Sequence, residues 1–260
     1  MILMHRAALG GVQLDQVDSK IMVKGVSTSA PKENDITAQV AGNGLRFVRK
    51  KRESLEVNIR IGLRLFDDDM DGREELMEKV CAWARNLPAW LTTDQKPGRR
   101  LWVESVKTPA PGDPVEWTNE FTFTFTAMSL PWWEDANTTS VTIAQDDEGE
   151  GTLTMPGSTD TVADFTVQNK SGDTINTMTL SANGTSFSFT GLGLANNAYL
   201  TIDHIQVKGT NVLRARIGEA SKLLNMSGDD DIILHPGANT ISFSAGGDVI
   251  VTVSARGRYQ

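Results

Sequence analysis

Leu55-Glu56-Val57-Asn58-Ile59-Arg60-Ile61-Gly62-Leu63-Arg64-Leu65 places an apolar residue at every second position for its whole length. Successive side chains of a strand project to opposite faces. Leu55, Val57, Ile59, Ile61, Leu63 and Leu65 therefore point one way and Glu56, Asn58, Arg60 and Arg64 the other. A second run, Trp117 to Ala127, repeats the pattern: Trp117, Phe121, Phe123, Phe125 and Ala127 share one face, and Thr118, Glu120, Thr122, Thr124 and Thr126 the opposite one. At ~3.3 Å per residue such a run makes a strand of roughly 35 Å, about twice the usual length. Long strands with one wet face suit a wall or a tube better than a compact catalytic pocket. The expectation is a mainly β structural protein.

Between the two runs lies one convincing helix. Leu76, Val80, Trp83 and Leu87 fall on one stripe at helical period, closed by Pro88, while Asp67 to Asp71 and Glu74 supply negative charge where the helix starts. That stripe can cover the apolar face of a sheet. Upstream, residues 18–26 and 34–41 read as short strands around the breaker Pro31, and Gly42-Asn43-Gly44 as a turn. Downstream, one strand is expected over Leu101 to Val106, then a proline-rich loop from Pro109 to Pro114. Leu130-Pro131-Trp132-Trp133 ends the second long run, because proline cannot donate a ladder bond.

Composition changes at that point. Residues 1–134 carry 18 Lys+Arg against 19 Asp+Glu, and residues 135–260 carry 7 against 14. All six tryptophans (Trp83, Trp90, Trp102, Trp117, Trp132, Trp133) lie in the first stretch. Two domains are expected, 1–136 and 137–260. The second reads as short strands at 139–144, 162–168, 176–181, 185–190, 198–208, 211–216, 240–244 and 248–254. Asn183-Gly184 and Gly246-Gly247 are among the turns between them, and Asp146, Asp147, Glu148 and Glu150 sit in a polar loop. A short helical turn is expected over Ala220 to Asn225. This spacing is that of an antiparallel sandwich. So acidic a second half is poor material for neutralising phosphates, which argues against binding of nucleic acid or an anionic membrane.

Cys81 is alone, so no internal disulfide forms. Met1 to Gly11 carries His5 and Arg6 and lacks the apolar core of a secretory signal, and no span approaches the ~20 apolar residues of a membrane helix. A soluble protein made in a cytoplasm is expected.

Motifs with chemistry have duller readings. Asp67, Asp69, Asp71, Gly72 and Glu78 fit the EF-hand spacing, but the chain enters with strand period where a helix is needed, so helix-start electrostatics is preferred to calcium. Arg49-Lys50-Lys51-Arg52 reads as a solvated loop or protein contact between strands, without aromatic interleaving for bases. His5, His204 and His235 show no metal spacing, Gly157-Ser158 lacks a nucleophile-elbow pattern, and Asp203-His204 reads as a strand end. No enzyme and no cofactor is expected. For sugar stacking the second half offers only Tyr199, Tyr259 and phenylalanines at strand positions.

In order along the chain, Asp35-Ile36-Thr37, Gly42-Asn43-Gly44-Leu45, the long strand into an acidic helix start, and Cys81-Ala82-Trp83-Ala84 to Trp90-Leu91 form a distinctive series. Gly98-Arg99-Arg100-Leu101-Trp102-Val103, Trp117 to Phe125 and Leu130-Pro131-Trp132-Trp133-Glu134 continue it. Gly191-Leu192, Leu200-Thr201-Ile202-Asp203 and Leu234-His235-Pro236-Gly237-Ala238-Asn239 complete it. This order resembles the distal tail protein family of siphophages, bacteriophages with long non-contractile tails. The resemblance implies a tail-tube-like N-terminal domain with one helix, a galectin-like C-terminal β-sandwich, and a hexameric ring. Such a ring joins the tail tube above to the tail-tip or baseplate hub protein below, in the virion, and passes DNA without binding it specifically. Galectin's sugar-binding pattern is absent, so no lectin activity carries over. Candidate lumen or interface residues are Arg49, Lys50, Lys51, Arg52, Glu56, Arg60 and Arg64. The alternative, from another class, is a receptor- or glycan-binding sandwich module of a surface or virion protein.

Overall fold

Val57, Ile59 and Ile61 are wholly buried while Glu56 and Asn58 are half-buried and Arg60 is exposed, so the first alternating run is an amphipathic strand. The computed structural model describes residues 5–40, 44–64, 70–109, 120–207 and 210–259. It is mainly β, its ladders are antiparallel, and it divides into two compact units, Met1–Trp133 and Glu134–Gln260.

The first unit contains β1 (Ala7–Leu9), β2 (Val12–Gln13), α1 (Leu14–Val17), β3 (Ile21–Thr28), β4 (Lys32–Val40), β5 (Gly44–Leu63), α2 (Met70–Ala84), β6 (Ala89–Thr93), β7 (Arg99–Val103), β8 (Ser105–Lys107) and β9 (Glu120–Ala127). β10 (Trp133–Asp135) follows at the division of the chain. One sheet runs in the order β3-β5-β9-β8, with β4 paired to the first half of β5, and another contains β2-β1-β6-β7. The dry face of the first sheet carries Val57, Ile59, Ile61, Phe121, Phe123 and Phe125. α2 covers it. Trp83 meets Phe125 edge-on with ring centroids 5.8 Å apart, and its indole N–H donates to the carbonyl of Val12 at 3.0 Å. Such a ring pair adds about 0.5–1.5 kcal/mol to what burial alone gives.

Several expectations are corrected here. α1 makes a second helix. α2 stops at Ala84, so Leu87 lies past its end and the buried stripe is Leu76, Val80, Trp83 and Ala84. The strand expected over Leu101 to Val106 is two strands in two sheets, broken at Glu104, whose carboxylate accepts the N–H groups of Met128 and Ser129, each at 2.8 Å. Arg49-Lys50-Lys51-Arg52 is strand and not loop: β5 is 20 residues long and pairs with β4 through this stretch. The backbone register sets Glu33 opposite Arg52 and Asp35 opposite Lys50, in a stretch where no apolar period announces a strand. The Gly42-Asn43-Gly44 turn, the Pro109–Pro114 loop and the start of the second run at Trp117 fall largely outside the described residues.

The second unit comprises β11 (Thr139–Met155), β12 (Thr161–Val162), β13 (Asp164–Asn169), β14 (Ile175–Ala182), β15 (Thr185–Leu194), β16 (Tyr199–Val207), β17 (Thr210–Ile217), β18 (Ala220–Ser221), a 3-10 turn at Leu223–Asn225, β19 (Met226–Gly228), β20 (Ile233–Leu234), β21 (Gly237–Ala255) and β22 (Arg258–Tyr259). Two long strands organise it. β21 pairs with β14 through Ile241–Ala245 and with β13 through Val249–Ser254, on the same side, while β11 runs along its other edge. The sheet folds back on itself at this change of partner: Phe165 of β13 packs edge-on against Phe187 of β15, centroids 5.7 Å apart, although two strands separate them in the ladder. The outcome is a sandwich whose core includes Leu153, Leu180, Phe189, Leu200, Ile202, Phe243 and Val251.

Here too charge and glycine misled. Asp146, Asp147, Glu148 and Glu150 are exposed positions of β11, and register shifts around Asp146 absorb the irregularity. Gly246-Gly247 lies inside β21, where two strands were expected with a turn between them. A Cβ on Gly247 would sit 2.8 Å from Ser171 Cβ, so the glycine makes room for a neighbour and turns nothing. Asn183-Gly184 does turn: both residues have positive φ, in the two-residue connection of the β14–β15 hairpin.

Candidate functional site

On the polar side of the β3-β5-β9-β8 sheet the register forms rows across the strands. Ser27, Asn58, Thr124 and Lys107 make one, Gly25, Arg60 and Thr122 the next, and Glu56, Thr126 and Ser105 another. Directly opposed residues of an antiparallel pair share a face, so these side chains form one surface. Thr124 donates to the Asn58 side-chain carbonyl at 2.7 Å. The Arg60 guanidinium extends over Gly25, where a Cβ would stand 3.8 Å from two of its nitrogens. Lys24 pairs with Glu120 at 3.2 Å, and Lys32 with Glu56. All four are partly exposed, a setting in which ion pairs contribute about 0–1 kcal/mol.

The surface is thus polar, hydroxyl-rich and nearly balanced in charge, with Lys24, Arg60 and Lys107 facing Glu56 and Glu120. Its edges are open among the described residues. β3 carries on its outer side a single bridge, from the His5 N–H to the Val23 carbonyl at 3.2 Å, and β8 pairs with β9 alone. An open edge displays backbone donors and acceptors that another strand can use.

Of the candidate residues, β5 unites Glu56 and Arg60 on this surface. Arg64 follows the end of β5, exposed, its backbone N–H donating to the Lys20 carbonyl at 2.8 Å. Arg49, Lys50, Lys51 and Arg52 lie in the other half of β5, which pairs with β4 beyond the reach of β3 and β9. Asp67 and Asp69 fall outside the described residues. Asp71 and Glu78 belong to α2, whose helical backbone from Met70 occupies positions an EF-hand would need as a wrapping loop. Among the described residues no three His, Cys, Asp or Glu converge as a metal site, and no helix is long and apolar enough to cross a membrane.

In the second unit Phe165, Phe187, Phe189 and Phe243 are all buried, and the Tyr259 hydroxyl donates to Asp135 at 3.1 Å. That leaves Tyr199, half exposed, as the aromatic surface residue. Sequence reading missed His204. It sits within β16 and not at a strand end, its ring between two carboxylates, while Asp203 on the other face binds Arg214. Its partners stand 40 and 27 residues away, and no local pattern points to them.

The geometry has a counterpart among solved structures. The crystal structure of the SPP1 Dit protein, described as a paradigm of hub adsorption apparatus in phages infecting Gram-positive hosts, superposes with a TM-score of 0.69 at 13% identity. The match covers 97% of this chain and 98% of that one. The chain has a Dit-like fold. Two phage P2 baseplate structures in the activated conformation, with Ca and with Sr, align at TM-scores of 0.44 and 0.42. Their identities are 9% and 7%, over 98% and 96% of this chain and 98% and 97% of theirs. No protein-family model and no curated protein sequence matches the chain. The Dit-like fold therefore rests on backbone shape, at 13% identity.

Proposed function

We propose that this chain is a structural protein of a phage tail tip, acting by assembly and without catalysis. Six copies form a ring joining the distal end of the tail tube above to the tail-tip or baseplate hub protein below. Residues 1–136 supply the ring-forming domain and 137–260 the sandwich. The reading rests on one observation: a Dit-like fold over nearly the whole chain, containing a sheet with one polar face and, among the described residues, two open edges.

Physics carries the step from sheet to ring. Two open edges per copy allow head-to-tail pairing, and a head-to-tail interface whose rotation closes gives a cyclic ring. Six copies of four strands at ~4.8 Å spacing and ~40° tilt make a barrel roughly 45–50 Å across. Its inner lining is the surface bearing Glu56, Asn58, Arg60, Thr122, Thr124 and Thr126. Nearly balanced charge lets DNA pass without the counterion release that would hold it. The chain is made in the host cytoplasm and ends in the virion.

Size-exclusion chromatography with light scattering, followed by negative-stain imaging, tests this. Rings of about six times the 28.3 kDa chain mass are expected. A chain that stays monomeric at high concentration, or a particle in which it lies away from the tail-tube end, overturns the reading. A monomer retained on a glycan array would transfer the sandwich to the receptor-binding class.

A further inference from the structure

Among the described residues His204 is the histidine whose two ring nitrogens both face carboxylates: Nδ1 lies 2.9 Å from Asp164 Oδ1 and Nε2 lies 2.8 Å from Asp231 Oδ1. Its side chain is only 7% exposed. A neutral imidazole has one N–H, so it satisfies one of these contacts and turns a lone pair on the other carboxylate. The doubly donating imidazolium satisfies both. Because the carboxylates stand at opposite ends of one ring, they do not converge on a point where a metal could bind.

The two carboxylates belong to different kinds of structure. Asp164 is in β13, and its Oδ1 also accepts the backbone N–H of His204 at 3.1 Å, so it stays with β16 whatever the ring does. Asp231 is on the connection from β19 to β20, which crosses from one layer of the sandwich to the other. At one end Asp229 exchanges two hydrogen bonds with Ser186 of β15, at 2.8 and 2.7 Å. At the other end the Ile232 carbonyl accepts the Ala163 N–H at 3.0 Å, and β20 pairs with β12. Asp231 is the side-chain tether between.

We propose that Asp164, His204 and Asp231 form a proton-locked clasp, holding residues 229–234 across the sandwich while His204 is charged and releasing the Asp231 end when it is neutral.

The surrounding charges agree in sign. Asp164 faces the ring from β13 and Asp231 from the strap; the half-buried Arg258 of β22 is attracted to both carboxylates and to Glu134, which Arg256 also approaches at 3.9 Å, and Asp203 and Arg214 pair on the opposite face of β16. With the proton on, three carboxylates (Asp164, Asp231, Glu134) meet three cations (His204, Arg258, Arg256). With it off, two cations remain. Burial works against the imidazolium, but hydrogen bonds and attraction from Asp164 and Asp231 outweigh it and raise the pKa above the usual histidine value. A raised pKa means the lock is complete below ~6.5 and is lost as pH rises through the folded value.

Hydrogen–deuterium exchange of the full chain between pH 6 and 9, followed by mass spectrometry, reads the clasp directly. Labelling the three histidines with ¹⁵N reports the ring itself. Both His204 nitrogens should be protonated at pH 6. Protection of peptides covering 161–164 and 229–234 should then fall about tenfold per pH unit beyond the intrinsic rise, up to the His204 pKa, and level off above it. Core peptides around Leu180 and Val251 should hold. Asp231→Asn should move the His204 titration down, and His204→Gln should leave strap protection flat with pH, whereas His235→Gln on the exposed Asp160 pair should change neither. A neutral His204 tautomer at pH 6, a titration unmoved in Asp231→Asn, or protection lost from strap and core together would each overturn the proposal.

Discussion

The two units use antiparallel strands to opposite ends. In the first, the β3-β5-β9-β8 sheet has one buried apolar face, met at Phe125 by Trp83 of α2, and the other lined with Asn58, Arg60 and threonines. In the second, the sheet folds over and buries its own phenylalanines. One leaves a polar wall and, among the described residues, open edges, and the other consumes its apolar surface internally. Amphipathic strands thus do not dictate closure. Where the second face carries polar residues in register, as along Glu56, Asn58 and Arg60 with the threonines of β9, that face stays exposed or half-buried. Where a strand such as β21 changes partners midway, the sheet must bend.

Five changes test this contrast. Phe125→Ala removes the ring under Trp83 in the first unit, and Phe187→Ala the ring against Phe165 in the second. Each should cost about 3–5 kcal/mol in urea unfolding, and each should shift the transition of its own unit only. A common shift from both would erase the distinction. Glu104→Ala strips two backbone N–H groups of a charged acceptor where the chain passes between sheets, and should cost about 2–3 kcal/mol in the first unit's transition.

Gly151→Ala should be smaller. Its Cβ would sit 2.6 Å from Ile143 Cγ1, and an overpacked core contact of this kind costs about 1–3 kcal/mol; thermal melting should show it in the second unit. Arg60→Ala should leave folding within about 0.5 kcal/mol, because the side chain is exposed and surface changes are that small. Any marked loss of stability would mean that the polar wall is part of a subunit core.

Much of the first unit was legible because its signal is local. Leu55 to Leu63 and Phe121 to Ala127 alternate without interruption, and Leu76, Val80 and Trp83 mark the covering helix. The errors share a cause. Arg49 to Arg52, Asp146 to Glu150 and Gly246-Gly247 carry no apolar period, and what keeps them in strands is pairing that period does not report: β4, the preceding strand, for the first, β21 for the second, and for the third the pairing on either side, with β14 up to Ala245 and with β13 from Val249. The site divides the same way. Glu56 and Arg60 could be assigned to one face by counting in twos, whereas His204 depends on contacts that only the completed sandwich creates.

β21 is continuous through both layers, which gives the second unit a mechanical character. A load applied to one layer travels to the other along covalent peptide bonds as well as through the apolar seam between Phe165 and Phe187. Prying the layers apart must stretch that shared strand, so such a body yields first by peeling at its short outer strands, β18 and β19, and keeps its central span intact under tension.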